Sequence, residues 1–399
     1  MNKNNVVIVW FGLLVLLLLA ACGGAADEDS AAPPAESDNT PAETVSEAPT
    51  AVSSAEEDSP DTMPEGDFST GPAMEPEDCF PGEQYDPQEK VCYIECDSEE
   101  ECLAKEEEIY GDLDDYIDPE FSGEAVQPPD FAGGGEDGAL PIARYNVAEG
   151  LEIVLLEKNE EVTEPELADP ARHEEIWESV RYLLPNDVLQ RNVGLFYMFT
   201  DGPDNGLAYV EPLPDNPELW QYGVDIVDAD FSSDFVHTLV HEFAHIVTLE
   251  KNQVPPDTSR PSPPNEEEDA EPSPVELSCQ TFYTGEGCAN PDSYFNQFYQ
   301  QFWSDIYGEF MEGSNAAESQ EEYDQFTAEF YEQYQDRFVS EYAATNPGED
   351  IADSFAYFVL KEKPDGDTIA EQKILFFYQF EPLVNMRTHI RGQLARLNN

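Results

Sequence analysis

Phe235-Val236-His237-Thr238-Leu239-Val240-His241-Glu242-Phe243-Ala244-His245 holds three of the chain's five histidines. His241-Glu242-x-x-His245 is the pattern in which one helix offers two imidazoles to a zinc ion with a glutamate between them. Residues four apart share a helix face, so both rings can reach a single ion. Glu242, beside the first ring, can take a proton from a water activated by the metal. The flanks suit a buried helix: Val236, Val240, Phe243 and Val247 recur at helical spacing, and Ser232-Ser233-Asp234 supplies candidate N-caps. His237, one turn before His241, reads as a core residue or a support for the site. The stretch reads as a metal-binding helix.

Around it the pattern is mixed. Residues 151–156 read as a strand, and 170–184 as a helix with Ile176, Val180, Leu183 and Leu184 on one face. Three further strands are expected over 193–200, 207–213 and 219–227, bounded by turn residues such as Asp201-Gly202-Pro203-Asp204-Asn205-Gly206. Residues 252–274 are Pro-rich and acidic without periodicity, and read as a loop or insertion. Phe295, Phe298, Phe302, Ile306 and Phe310, then Tyr323, Phe326, Phe330 and Tyr334, fall at helical spacing. Such a stripe is the mark of core packing more often than of a carbohydrate-stacking surface. Residues 369–378 and 383–397 read as helices. The expected class is α+β: a mixed β-sheet with an active-site helix, followed by a mainly helical C-terminal subdomain.

A catalytic zinc needs three protein ligands and an open position. The metzincin pattern is excluded, because Thr248 and Lys251 stand where that class has Gly and His. A better third ligand lies in Asn346-Pro347-Gly348-Glu349-Asp350-Ile351-Ala352-Asp353. Asn346 and Pro347 read as N-cap and first helical residue, which puts Glu349 and Asp353 on one face. Ala352 and Ala356 beside them would let this helix approach the His241 helix closely. The alternative for Glu349 is a capping box with Asn346.

His241-Glu242-x-x-His245 with Glu349-x-x-x-Asp353 resembles the gluzincin zinc peptidases, the thermolysin-like class. The resemblance covers the active-site elements within 141–360. Glu349 follows His245 at a much longer interval than in thermolysin, so the intervening helices are an insertion or mark a different subfamily. The resemblance implies a zincin-like fold with Zn²⁺ on His241, His245 and Glu349, and Asp353 orienting a histidine ligand. It also implies Glu242 as general base, a protein or peptide substrate, and a sheet-edge strand that holds the substrate backbone, placed here among 207–213 and 219–227. Tyr342, on the approach to Glu349, is the candidate oxyanion donor.

The N-terminus points to export. Asn2-Lys3-Asn4-Asn5 precedes an apolar run over 6–20, which has the length of a signal-peptide core and is short for a membrane span. Leu19-Ala20-Ala21-Cys22-Gly23 resembles the bacterial lipobox, which implies cleavage before Cys22, its lipidation, and an extracytoplasmic protein anchored to the cell membrane or outer membrane. The expected organisation is a lipoprotein signal peptide at 1–21, a disordered acidic Pro/Ala/Ser-rich tether at 22–78, a small disulfide-stapled module at 79–102, an acidic linker at 103–140 ending in a glycine run, and a zincin-like metallopeptidase domain at 141–399. Beyond Cys22 six cysteines remain: Cys79, Cys92, Cys96, Cys102, Cys279 and Cys288. In an exported protein an even number reads as three disulfides. Cys279 and Cys288 form a local pair, and the other four allow three connectivities.

With 87 acidic against 17 basic side chains, the formal net charge is −70. That excludes nucleic acid as a partner; it favours cations and basic substrates, and it also suits salt adaptation. The membrane is reached only through the N-terminal lipid, and nothing in the sequence speaks to oligomeric state. The rival reading is a non-catalytic surface-binding or adhesion lipoprotein with a structural or vestigial metal site. Glu242 argues against it, since a purely structural site has no use for a base.

Overall fold

A computed structural model describes residues 74–88, 90–111, 113–117, 139–203, 206–259, 272–317 and 319–397. The apolar leader, Cys22, the tether up to residue 73 and the glycine run at 133–138 lie outside the described residues. The first elements are a hairpin of β1 (Gln84–Asp86) and β2 (Val91–Tyr93), then α1 (Glu99–Tyr110). Ser98 caps α1 by accepting a hydrogen bond from the Glu101 N–H, and Gly111, at φ 76°, ends it. Disulfides join Cys79 to Cys92, Cys96 to Cys102 and Cys279 to Cys288, with Cα separations of 5.4, 5.3 and 5.6 Å. The N-terminal four thus adopt one of the three possible connectivities.

The body contains a five-stranded sheet: β3 (Leu140–Val147), β4 (Ile153–Lys158), β5 (Val193–Thr200), β6 (Ala208–Leu213) and β7 (Asn216–Asp225). Its order is β4-β3-β5-β7-β6, antiparallel except between β5 and β7. From β5 the chain skips one slot, lays down β6 at the edge, and turns through Pro214-Asp215 to fill the slot with β7. One face of the sheet buries Phe196, Met198, Trp220, Tyr222 and Val224 against the helices. On the other, Tyr197, Phe199 and Tyr209 form a second aromatic cluster. There Tyr209 lies flat on Gly223, where a Cβ would stand 2.1 Å from the ring, so only glycine fits. The expected strands over 193–200, 207–213 and 219–227 are present within a few residues of their bounds. The first expected strand begins at Ile153, because Gly150 and Leu151 turn with positive φ. Strand β3 was not expected at all. Pro141, Arg144 and Asn146 obscure its alternation, and bulges at Pro141/Ala143 and Arg144/Tyr145 shift its register on both sides.

Helices cover one side: α2 (Pro165–Ala168), α3 (Pro170–Leu183), α4 (Asn186–Asn192), α5 (Ser233–Leu249), α6 (Pro274–Ser278), α7 (Tyr294–Phe302), α8 (Tyr307–Ser314), α9 (Gln320–Gln333), α10 (Pro347–Leu360), α11 (Ile369–Phe377) and α12 (Glu381–Leu397). The α+β class is therefore present, with the helical region after the sheet. Asp169 caps α3, whose Ile176, Trp177, Val180 and Leu183 are buried as its spacing predicts. The aromatic stripe is core: Phe295, Phe298, Phe302, Phe310 and Phe330 are buried, and Phe298 meets Phe302 at 5.0 Å between ring centroids.

The boundary expected at residue 102 falls inside α1, so 103–110 is not linker. Glu106, although part of an acidic run, is buried against α12. It pairs with Arg387, stands 2.9 Å from Arg391 Nε, and accepts from Thr388 Oγ1 at 2.6 Å. Glu83 likewise accepts from Arg396 at 2.7 Å and from the Tyr110 hydroxyl at 2.7 Å. Burying an ionised carboxylate is costly unless it is paired, and the pairing fixes α1 to α12. Arg387 and Arg391 also donate to the Phe358, Val359 and Leu360 carbonyls, which close the C-terminus of α10. Among the described residues no helix is long and apolar enough to cross a membrane. Three disulfides are the chemistry of an oxidising compartment.

Candidate metal centre

The site is built where α5 and α10 cross. Helix α5 starts cleanly because Ser232 accepts from the Phe235 N–H. The Tyr222 hydroxyl of β7 donates to the Leu239 carbonyl at 3.0 Å, tying the helix to the sheet. From Phe235 to Leu249 every residue is buried except Glu242 and His245, which are half-buried. The only polar gap in an otherwise sealed helix therefore lies at these two side chains.

Helix α10 enters at Asn346, whose side-chain oxygen accepts from the N–H groups of Gly348 and Glu349. The Trp303 indole N–H donates to Asp350 Oδ2 at 2.6 Å, and Lys373 Nζ lies 2.6 Å from the same oxygen, all within the core. These bonds fix the first turn of α10 and aim Glu349 at α5. Ala244, Ala352 and Ala356 are fully buried, so small side chains at the crossing let the helices come close.

Glu349 Oε2 lies 3.0 Å from His241 Nε2 and 3.2 Å from His245 Nε2, and the two ring nitrogens are 3.2 Å apart. An ion with ligand bonds of ~2.0–2.1 Å in tetrahedral geometry would separate its donors by about 3.3 Å. The three donor atoms thus form nearly the triangular face that zinc requires. His241 is 1% exposed, while His245 and Glu349 are 14% and 18% exposed, so the fourth corner lies toward solvent. The capping-box alternative is not realised: the Glu349 backbone uses the cap, and its carboxylate faces the rings.

The electrostatics fit a cation site. Burial alone would raise the Glu349 carboxyl, but the charge on His245 and hydrogen bonds from both rings hold it well below the usual range. Burial opposes charge on His245, yet Glu349 and then Glu242 and Glu286 push that ring up to about 9. Burial and His245 lower His241. Burial pushes the Glu242 carboxyl up to about 8, against His245 and the backbone N–H of Val210 in β6, which donates to it. The edge strand β6 thus stands directly beside Glu242.

Tyr342 lies in a short 3₁₀ turn (Tyr342–Ala344), its ring 5.7 Å from that of His241. Its side chain is hydrogen-bonded to Glu349, and burial, followed by Glu349 and Glu242, holds its hydroxyl well above the usual range.

No family model, curated protein or solved structure matches this chain.

Asp353 departs from expectation. It does face a buried imidazole, but the ring is His237, with Nε2 3.0 Å from Asp353 Oδ1; Ser340 donates to the other carboxylate oxygen. The reason is helix sense. One turn forward from Glu349 on α10 corresponds to one turn back from His241 on α5, so Asp353 meets His237. His237 is fully buried, with Asp353 as its partner. Residues 340 and 286 were missed altogether. Ser340 carries no sequence signal, whereas Glu286 stands out only as a carboxylate flanked by Gly285 and Gly287 within the Cys279–Cys288 loop.

Proposed function

We propose that the chain is an extracytoplasmic zinc metallopeptidase of gluzincin type with a zincin-like fold, anchored through a lipid on Cys22. His241, His245 and Glu349 hold Zn²⁺, and no other ligand is needed. When bound, zinc supplies a Lewis acid that polarises the scissile carbonyl and brings the pKa of water to around 7. The substrate backbone lies along β6, which puts its scissile carbonyl over the solvent-facing corner of the donor triangle. Glu242 takes the proton of the attacking water and delivers it to the leaving nitrogen. Tyr342 donates its hydroxyl proton in a hydrogen bond to the oxygen that gains charge. The hydrogen bonds of Asp353 and Ser340 support the wall behind His241.

The single observation that carries this reading is the donor triangle, with Glu242 on the same helix turn and its charge acting on His245 and Glu349. The test is a peptide-library digest with metal analysis, with and without chelator. Wild type should bind about one zinc and cleave peptides, and chelator should abolish cleavage. Glu242→Gln should keep the zinc while turnover falls by about 10²–10⁴-fold, the usual contribution of a general base. Normal turnover in that variant removes Glu242 from the mechanism, and a zinc-loaded wild type that cleaves nothing returns the protein to the binding class.

A further inference from the structure

The loop closed by Cys279–Cys288 is locked onto the segment that leaves α5. Gly287 pairs with Pro256, the Asp257 N–H donates to the Glu286 carbonyl at 2.6 Å, and Asn290 Nδ2 donates to the Asn252 carbonyl at 2.8 Å. A side chain at Gly287 would strike the Pro255 carbonyl at 2.1 Å, so the loop backbone lies tight against that segment. Glu286 lies between these fixed points, and its charge acts on both His245 and Glu349 of the metal centre. The Thr284 side chain and the loop backbone serve this carboxylate, yet its Oε2 is buried with no hydrogen-bond partner among the described residues. No lysine or arginine among the described residues pairs with it.

A shielded carboxylate oxygen without a donor is costly unless something arrives to satisfy it. The loop backbone is pinned by a disulfide and by backbone bonds, so the position of Glu286 is fixed. A protein with net charge −70 also concentrates cationic peptides at its surface. We infer that Glu286 is a specificity-determining residue that receives a cationic nitrogen group of the substrate, a Lys or Arg side chain or an N-terminal ammonium, next to the scissile bond. This rests on the peptidase reading of the neighbouring centre. The ammonium or guanidinium donates to Oε2, and no bond is made or broken in the step.

The test uses the full chain loaded with zinc and matched quenched-fluorescence peptides. One set carries Lys or norleucine at successive positions flanking the cleaved bond, and the other carries a free or acetylated N-terminus. Wild type should prefer the cationic member of one set, by on the order of ten- to a hundredfold in kcat/KM. That ratio should collapse toward one in Glu286→Gln, with zinc content and melting temperature retained, and recover in part in Glu286→Asp. Dependence on the side-chain set identifies Lys or Arg as the group, and dependence on acetylation identifies the N-terminal ammonium. An unchanged ratio in Glu286→Gln, or no charge preference in wild type, overturns the inference. If wild type cleaves no peptide, the peptidase reading fails by itself. Binding of the same pairs then decides the matter for Glu286: an affinity ratio that Glu286→Gln abolishes supports the inference, and equal affinities reject it.

Discussion

Glu349 and Asp353 sit one turn apart on α10 but face different histidines, and their variants should separate accordingly. Glu349→Ala removes one corner of the donor triangle, so zinc should be lost on metal analysis; retention at full affinity would exclude Glu349 as a ligand. Asp353→Ala leaves His237 buried without its carboxylate and should cost roughly 1–3 kcal/mol in chemical denaturation, with a smaller effect on zinc content. A zinc loss equal to that of Glu349→Ala would show that Asp353 serves the ligands directly. That His241 and His245 share a face was legible in the sequence because a four-residue period is a local property of one helix. The partner of Asp353 was not, because it depends on the direction in which two helices cross.

Asp225 makes a separate prediction at the same scale. It is fully buried, and accepts from the N–H groups of Val227 at 2.7 Å and Asp201 at 2.9 Å. Burial pushes its carboxyl up to about 7, from an ordinary value of 3.8, with a hydrogen bond from Asp201 acting in the same direction. The folded state therefore holds a proton that the unfolded chain releases near pH 4. The resulting stability is complete below the ordinary value and is lost as pH rises through about 7. Between those limits one group contributes a slope of at most about 1.4 kcal/mol per pH unit. Asp225→Asn should flatten the fall of stability between pH 4 and 7, measured by denaturation at fixed salt. An unchanged slope would show that Asp225 is ionised in the folded protein.

At the scale of elements, the decisive contact is α5 on α10. Ala352 is fully buried at that crossing. Ala352→Leu should cost about 1–3 kcal/mol through overpacking and, by moving α10 away, weaken zinc binding without touching a ligand. Unchanged zinc affinity would mean that the crossing tolerates the added volume and does not set the ligand geometry. Most elements were legible from periodicity: α3, α5 and β5 lie within a residue or two of where the pattern puts them. The sheet was less so, since β3 hides its alternation behind two bulges. The order of its strands is a long-range property that no local pattern carries.

For the molecule as a whole, the surprise is the fate of the acidic stretch after Cys102. Read alone, it is a solvated linker, because its partners lie near the opposite end of the chain. Glu106 is in fact the shared carboxylate of Arg387 and Arg391. Glu106→Gln should leave two buried guanidiniums undercompensated and cost about 3–5 kcal/mol, seen as a lowered denaturation midpoint of the full chain. A change within experimental scatter would show that α1 is an ornament on an independently stable body. The charge balance gives the same feature its weight: with 17 basic side chains in 399 residues, three of them on α12 are spent on Glu83 and Glu106.

The clamp between α1 and α12 also sets an order of events during biogenesis. Helix α1 is synthesised well before α12. Until Arg387 and Arg391 emerge, Glu106 has no counter-charge, and the carbonyls that end α10 have no donors. Nascent chains and truncations that lack α12 therefore keep this junction open. Such a junction would delay closure of the body around the α5–α10 crossing until α12 has been made.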